Sequence, residues 1–254
     1  RPMADLFFSP IFGSQQNFVV GAEYGQKFKD GLAVSLNYKR ISQLGYYQNQ
    51  GTRTTNVAIA VRWTTKADKL DFFGGFISNT NNEVHNGGVD TFSLKTASGQ
   101  FRINVPVYLS DNKTRYEQQV YFLHSALALD GKPAVSSRFA IGHKLEIKTG
   151  YQGFYDTGLT SQADTLFYNQ YLTDTRGIRN RVNLTQYSNA FLLRSQWKRA
   201  SGTLSLVYDN FQLNDGGHSK VINDITLRFD GKIAAGSALD IFTRAKLGLG
   251  ANAG

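Results

Sequence analysis

The residues of this chain able to do chemistry are four histidines, a scatter of serines and a surplus of basic side chains. Their spacing limits what that chemistry can be. His85, His124, His143 and His218 lie far apart, and no two share a metal-ligand spacing, so a zinc site is not expected. Ser125 follows His124 directly, and neighbours in an extended chain point to opposite faces, which argues against a nucleophile–base dyad there. There is no cysteine, hence no thiol nucleophile and no disulfide framework. Two acidic-amide clusters, Asn79-Thr80-Asn81-Asn82-Glu83 and Asn214-Asp215-Gly216, read as solvated loops, with calcium binding the sharper alternative. No helical segment carries clustered basic residues and no stacking platform is visible, so nucleic acid is not an expected partner. The chain is not expected to be an enzyme or to hold a cofactor.

The charges matter through their pattern. In Asn17 to Arg40 the even positions read Phe18, Val20, Ala22, Tyr24 and, after Asp30-Gly31, Leu32, Val34, Leu36, Tyr38. The odd positions carry Glu23, Lys27, Ser35, Asn37 and Lys39. Period two marks strands, and the Asp-Gly marks a tight hairpin between them. One face is apolar and ends in aromatics, and the other is small, polar and charged.

The same unit recurs. Val57, Ile59, Val61, Trp63 alternate against Arg62, and Phe139, Ile141, Leu145, Ile147, Tyr151 against Lys144, Glu146, Lys148. Phe191, Leu193, Trp197 stand against Arg194 and Lys198, and Leu204, Leu206, Tyr208 against Asp209. Val221, Ile225, Leu227, Phe229 stand against Lys220, Asp224, Arg228, and Leu239, Ile241, Leu247, Leu249 against Arg244 and Lys246. Two strands are less clear. The facing of Leu70–Ile77 stays open, because Phe72 and Phe73 are both aromatic. Tyr121, Leu123, Leu127, Leu129 form one candidate face of another strand, in an ambiguous register.

This gives about ten strands, with no strand holding any of the four prolines. The links run short (29–31), long (42–54), short (66–69), long (78–113), short (130–134), long (152–186), short (199–202), medium (214–218) and short (230–237). Short links at one end and longer ones at the other are the asymmetry of an up-and-down membrane barrel. No stretch reaches the roughly 18 apolar residues of a spanning helix. Alternation hides a barrel from average hydropathy, because every second residue faces water. The fold class expected is all-β, an antiparallel up-and-down transmembrane β-barrel, with a soluble β-sandwich, lipocalin-like barrel or propeller as rivals. Aromatics near strand ends, Tyr24, Phe28, Tyr38, Trp63, Tyr151, Trp197, Tyr208 and Phe229, read as membrane-interface girdles. The polar face then lines a lumen through Glu23, Lys27, Lys39, Arg62, Lys144, Glu146, Lys148, Arg194, Lys198, Lys220, Asp224, Arg228, Arg244 and Lys246. With Asp71, Asp209 and Asp240 counted on the same face, basic residues exceed acidic ones by roughly two to one, which predicts a mild anion preference.

Five segments carry a family resemblance: RISQLGYYQNQGTRTTN (Arg40 to Asn56), ISNTNNEVHNGGV (Ile77 to Val89), VPVYLSDNKTRYEQQVYFLH (Val105 to His124), AIGHKLEIKTGYQGFYD (Ala140 to Asp156) and the Tyr187 to Arg194 strand. With these the chain resembles the putative-porin family of Bacteroidetes outer membranes. The resemblance implies an outer-membrane barrel of more strands than are present here. The opening Arg1-Pro2-Met3-Ala4-Asp5 has no apolar leader, and Ala251-Asn252-Ala253-Gly254 looks like the middle of a turn. Residues 1–254 therefore read as one barrel domain truncated at both ends. The expected function is passive diffusion of small hydrophilic or anionic solutes. The alternative is a non-transporting structural barrel subunit of an outer-membrane complex. Expected partners are outer-membrane lipid, such solutes and other outer-membrane proteins.

Overall fold

The computed structural model describes residues 2–10, 17–65, 69–91, 105–130, 137–157, 168, 177–197, 199–234 and 240–253. They form eleven strands: β1 (Met3–Pro10), β2 (Phe18–Lys27), β3 (Leu32–Leu44), β4 (Gly51–Thr64), β5 (Leu70–His85), β6 (Asn112–Ala128), β7 (Phe139–Asp156), β8 (Ile178–Gln196), β9 (Ala200–Asn214), β10 (Ser219–Ala234) and β11 (Asp240–Ala253). Each strand pairs antiparallel with its sequence neighbours in one sheet of order β1 to β11. The chain therefore has the expected up-and-down β architecture, consistent with part of a transmembrane barrel. Strands β1 and β11 form the two edges, and both run from the side of the 28–31 turn toward the opposite side.

The register is staggered by a constant amount. One row of directly opposed ladder partners runs Tyr24, Leu36, Ile59, Phe76, Tyr121, Ile147, Tyr187, Asn210, Asn223. Tyr24 lies three residues from the turn-side end of its strand at Lys27, Leu36 four from Leu32, and Ile59 five from Thr64. Phe76 lies six from Leu70, Tyr121 seven from Ala128, and Ile147 eight from Phe139. Tyr187 lies nine from Gln196, Asn210 ten from Ala200, and Asn223 eleven from Ala234. A slip of one residue (roughly 3.4 Å) for each strand spacing (roughly 4.8 Å) inclines the strands by about 35°. That is the tilt of closed membrane barrels.

Several expectations are corrected. Strand β1 was not expected, because Phe7 and Phe8 are adjacent and break the alternation. Its Pro10 contradicts the expectation that no proline sits in a strand; β1 is an edge, where a missing N–H is tolerated. Gly21 on β2 makes room for the Phe7 ring, since a Cβ there would run into it. The polar stretches 42–54, 78–113 and 152–186 shrink to links of 45–50, 86–111 and 157–177. Their flanks are strand: both faces there are polar, so no periodicity marks them, but the ladder continues through them. The 215–218 link is shorter than the 129–138 link, so the loop asymmetry rests on 86–111 and 157–177. His85 ends β5 rather than lying in a loop, and Asn79 to Glu83 are strand rather than a solvated calcium-type cluster.

Candidate functional site

Ladder partners share a face, so the register assigns every strand residue to one of two walls. One wall holds Leu36, Ile59, Val61, Leu123, Ile141, Phe191, Leu193, Leu206 and Leu247, all exposed despite their apolarity. The other holds Thr226, Asp209, Ser205 and Val207, all buried although three are polar. A concave wall crowds its side chains and a convex wall spreads them. The polar wall is therefore the inner one.

Phe73 and Ile77 fall on the inner wall and Phe72 and Phe76 on the outer, which settles the facing of β5; in β6, Tyr121, Leu123 and Leu127 face outward. Glu23, Lys27, Lys39, Arg62, Lys144, Glu146, Lys148, Arg194, Lys220, Asp224, Arg228, Arg244 and Lys246 all fall on the inner wall. Lys198 lies outside the described residues. The wall also carries residues that alternation alone had not collected: Asp5, Glu83, Asp156, Asp230 and Lys232. Its described charges are then eleven basic (Lys27, Lys39, Arg62, Lys144, Lys148, Arg194, Lys220, Arg228, Lys232, Arg244, Lys246) and nine acidic (Asp5, Glu23, Asp71, Glu83, Glu146, Asp156, Asp209, Asp224, Asp230). The two-to-one surplus is corrected to near balance.

Many of these charges pair along the wall. Arg62 donates to Asp71 through Nε and Nη2 at 2.9 and 3.1 Å, Lys148 meets Glu146 at 2.5 Å, and Arg244 meets Asp230 at 2.7 Å. Arg228 lies 3.6 Å from Asp209, and Lys246 lies 4.0 Å from Asp224. Nearer the loops, amides take over. Asn56 Nδ2 donates to Asn79 at 2.8 Å, Asn79 Nδ2 to Gln118 at 3.3 Å, and Thr54 Oγ1 to Asn81 at 2.9 Å. A polar hollow of about 340 Å³ lies among Lys144, Glu146, Lys148, Gln186, Asp209 and Arg228. Toward the turns three rings cluster on the same wall: Phe73–Phe122 at 5.2 Å, Phe122–His124 at 5.7 Å and Phe73–His124 at 6.1 Å. Gly75 admits them, because a Cβ there would sit 2.7 Å from the Phe122 ring.

The outer wall is the opposite. From the turn side up to Tyr38, Tyr121, Tyr187 and Tyr208 it holds no Asp, Glu, Lys or Arg among the described residues. Of the polar side chains in this band, His143 and Asn189 satisfy each other: His143 Nε2 meets Asn189 Oδ1 at 2.7 Å, while the His143 ring packs on Phe191 at 4.9 Å and Ser125 stands beside it on the ladder. Phe139 to Ile147 spans nine residues of β7, about 25 Å of height at the derived tilt, the thickness of a barrel's lipid belt. Aromatics bound the band. Trp63 stacks on Phe72 at 5.7 Å and Phe139 meets Trp197 edge-on at 6.0 Å at the turn side, with Phe28 at the same level. Tyr38 and Tyr208 mark the loop side together with Tyr121 and Tyr187, which the sequence reading had not placed in a girdle. Tyr24 and Phe229 fall between the two rows, and Tyr151 stands well above both, twelve residues from Phe139. Among the described residues no group of three or more His, Asp or Glu could hold a metal.

A family model described as "Putative porin" (Porin_10) matches residues 1–252. The chain belongs to this porin family. No curated protein matches it. The solved structures include the ferric-catecholate import receptor Fiu from E. coli K12 in its open form, which is similar with a TM-score of 0.61 at 10% identity. The alignment covers 100% of this chain and 49% of that one, so the chain spans about half the length of the receptor. At that identity the likeness carries the fold alone. Family and fold place this porin-family chain in the bacterial outer membrane as a barrel-forming protein.

Proposed function

We propose that the inner wall lines a water-filled passage for small hydrophilic solutes, and that the protein is a passive diffusion porin. The observation that carries this reading is the contrast between the walls. Twenty described charges and a ladder of amides face inward, whereas the outer band carries none. An occluded barrel would gain little from so many charges, because each buried one needs its own pairing and hydrogen bonds. Ion pairing along the wall leaves a slight basic excess, so the proposed selectivity is a mild anion preference. The fourteen lumenal positions expected from the sequence are part of this proposal, as are the interface roles of the aromatics.

A second reading has its own observation. The Phe73–Phe122–His124 cluster puts apolar rings on a wall that otherwise faces water. In a non-transporting barrel subunit of a larger complex, such rings would be covered by whatever fills the lumen. Single-channel recording of the full-length protein in a planar bilayer separates the two. Steady conductance that leans toward anions, and that shifts toward cations in Lys144→Glu, supports the pore. Silence from a protein shown to be inserted sinks it and favours the structural subunit.

A further inference from the structure

The outer wall has a second zone that neither the pore nor the lipid band uses. Above the upper tyrosines the strands continue, and among the described residues every charged strand residue on the outer face lies there: Arg40, Arg53, Lys113, Arg115, Glu117, Arg179 and Arg181. Six are basic and one is acidic, against near balance on the inner wall. Glu117 is held by Arg115, which donates through Nε at 2.9 Å. Arg53, Lys113, Arg179 and Arg181 have no ion pair among the described residues.

The ladder arranges these cations in two rows. Arg115 and Arg181 are the direct partners of Gly153 on either side, so two guanidinium groups flank a position with no side chain. Their backbones stand two strand spacings apart, roughly 10 Å, a gap two long side chains can close around one phosphate. Lys113 and Arg179 flank Tyr155 in the same way one row higher. Tyr151 and Tyr155 lean over Gly153, with the Tyr155 ring 2.6 Å from where a Cβ would be. Aromatic surface and fork-shaped cations therefore alternate on a face turned toward the membrane surroundings rather than toward the lumen.

Height selects the partner. Arg53 lies eleven residues from Thr64, and Arg115 lies thirteen from Ala128, whereas the upper tyrosines lie six to nine residues from their strand ends. At the derived tilt the patch starts about 10 Å above the girdle and continues upward for about another 10 Å. The headgroup layer of a simple bilayer is only roughly 5–7 Å deep on each side. We infer that the outer wall around Arg53, Arg115, Gly153 and Arg181 binds a phosphorylated glycolipid of the outer leaflet, whose saccharide headgroup carries its phosphates above the hydrocarbon boundary. This rests on the membrane placement and not on the lumen conducting.

The test measures lipid retained by the full-length protein in detergent, using a diphosphorylated glycolipid, its enzymatically dephosphorylated form, phosphatidylglycerol and inorganic phosphate as separate probes. The diphosphorylated form should bind, and the R115Q/R181Q double variant should bind it at least tenfold more weakly, since each basic side chain near anionic lipid contributes severalfold. E117Q frees Arg115 and should tighten binding about fivefold, a gain that a misfolded variant could not produce. Equal retention of the dephosphorylated form or of phosphatidylglycerol would overturn the inference. So would displacement by inorganic phosphate at the same concentration, which would mark a free-anion site, or unchanged binding in the double variant.

Discussion

His143 shows how a single polar side chain survives against lipid. Its Nε2 has Asn189 at 2.7 Å, so neither group is left unsatisfied in a medium without water. His143→Ala should destabilise the protein by about 1–2 kcal/mol in urea titration in micelles, because Asn189 then faces lipid alone. Replacing both residues by Leu should recover most of that loss, an outcome that a purely local packing role would not give. Outside the membrane, Asp215 caps the 215–218 turn. Hydrogen bonds from the backbone N–H of His218 at 2.9 Å and of Gly217 at 3.4 Å hold its carboxyl below the usual carboxylate range. A depressed acid contributes order that is present above the unfolded carboxylate value, near 4, and is lost as pH falls through the folded one. Cleavage of this turn by an acid-active protease should therefore accelerate as the pH drops below about 4. Asp215→Asn should flatten that dependence. In the sequence His143 falls within an apolar alternation and Asp215 in a turn, but Asn189, the partner of His143, could not be read without the register.

At the scale of the element, a strand here is two surfaces one residue apart. Leu204 stands on the outer wall four residues above Ala200, and Thr203, its neighbour, on the inner wall. Leu204→Arg should cost about 2–4 kcal/mol of folding free energy in lipid vesicles, while Thr203→Arg should cost well under half of that. Equal costs would mean that the two walls had been exchanged. Alternation made β2, β3, β4, β7 and β9 readable because their apolar and polar faces contrast. It failed for β5, where Phe72 and Phe73 are equally aromatic and only the ladder to β4 and β6 assigns them. It failed again wherever strands rise above the lipid band. Thr55, Thr80, Gln119 and Thr185 stand on the outer face there, and with water on both sides no period survives. Depth was the least legible property. Tyr151 looks like Tyr121 in sequence, and only the one-residue stagger shows that it stands far above the girdle.

For the molecule as a whole, charge is partitioned by wall and by height. Among the described residues, charge of both signs lines the inner wall, none stands in the apolar outer band, and mainly positive charge crowns the outer rim. Alternation in the clear strand centres missed Asp5, Glu83, Asp156 and Asp230 and so overstated the basic bias of the inner wall. Substituting Arg62 by Ala strands Asp71 on the inner wall, although Thr64 Oγ1 still donates to it at 2.9 Å. The expected result is a cost of about 1 kcal/mol or less in micelle unfolding, as for other exposed pairs, with ion selectivity moving toward cations in bilayer recordings. The edges of the sheet impose a further condition. Strands β1 and β11 point the same way, so joining them directly would make a single parallel seam in an otherwise antiparallel wall. A cylinder with antiparallel neighbours throughout would need an odd number of strands between these two edges, which gives an even count, the parity that single-chain bacterial outer-membrane barrels keep.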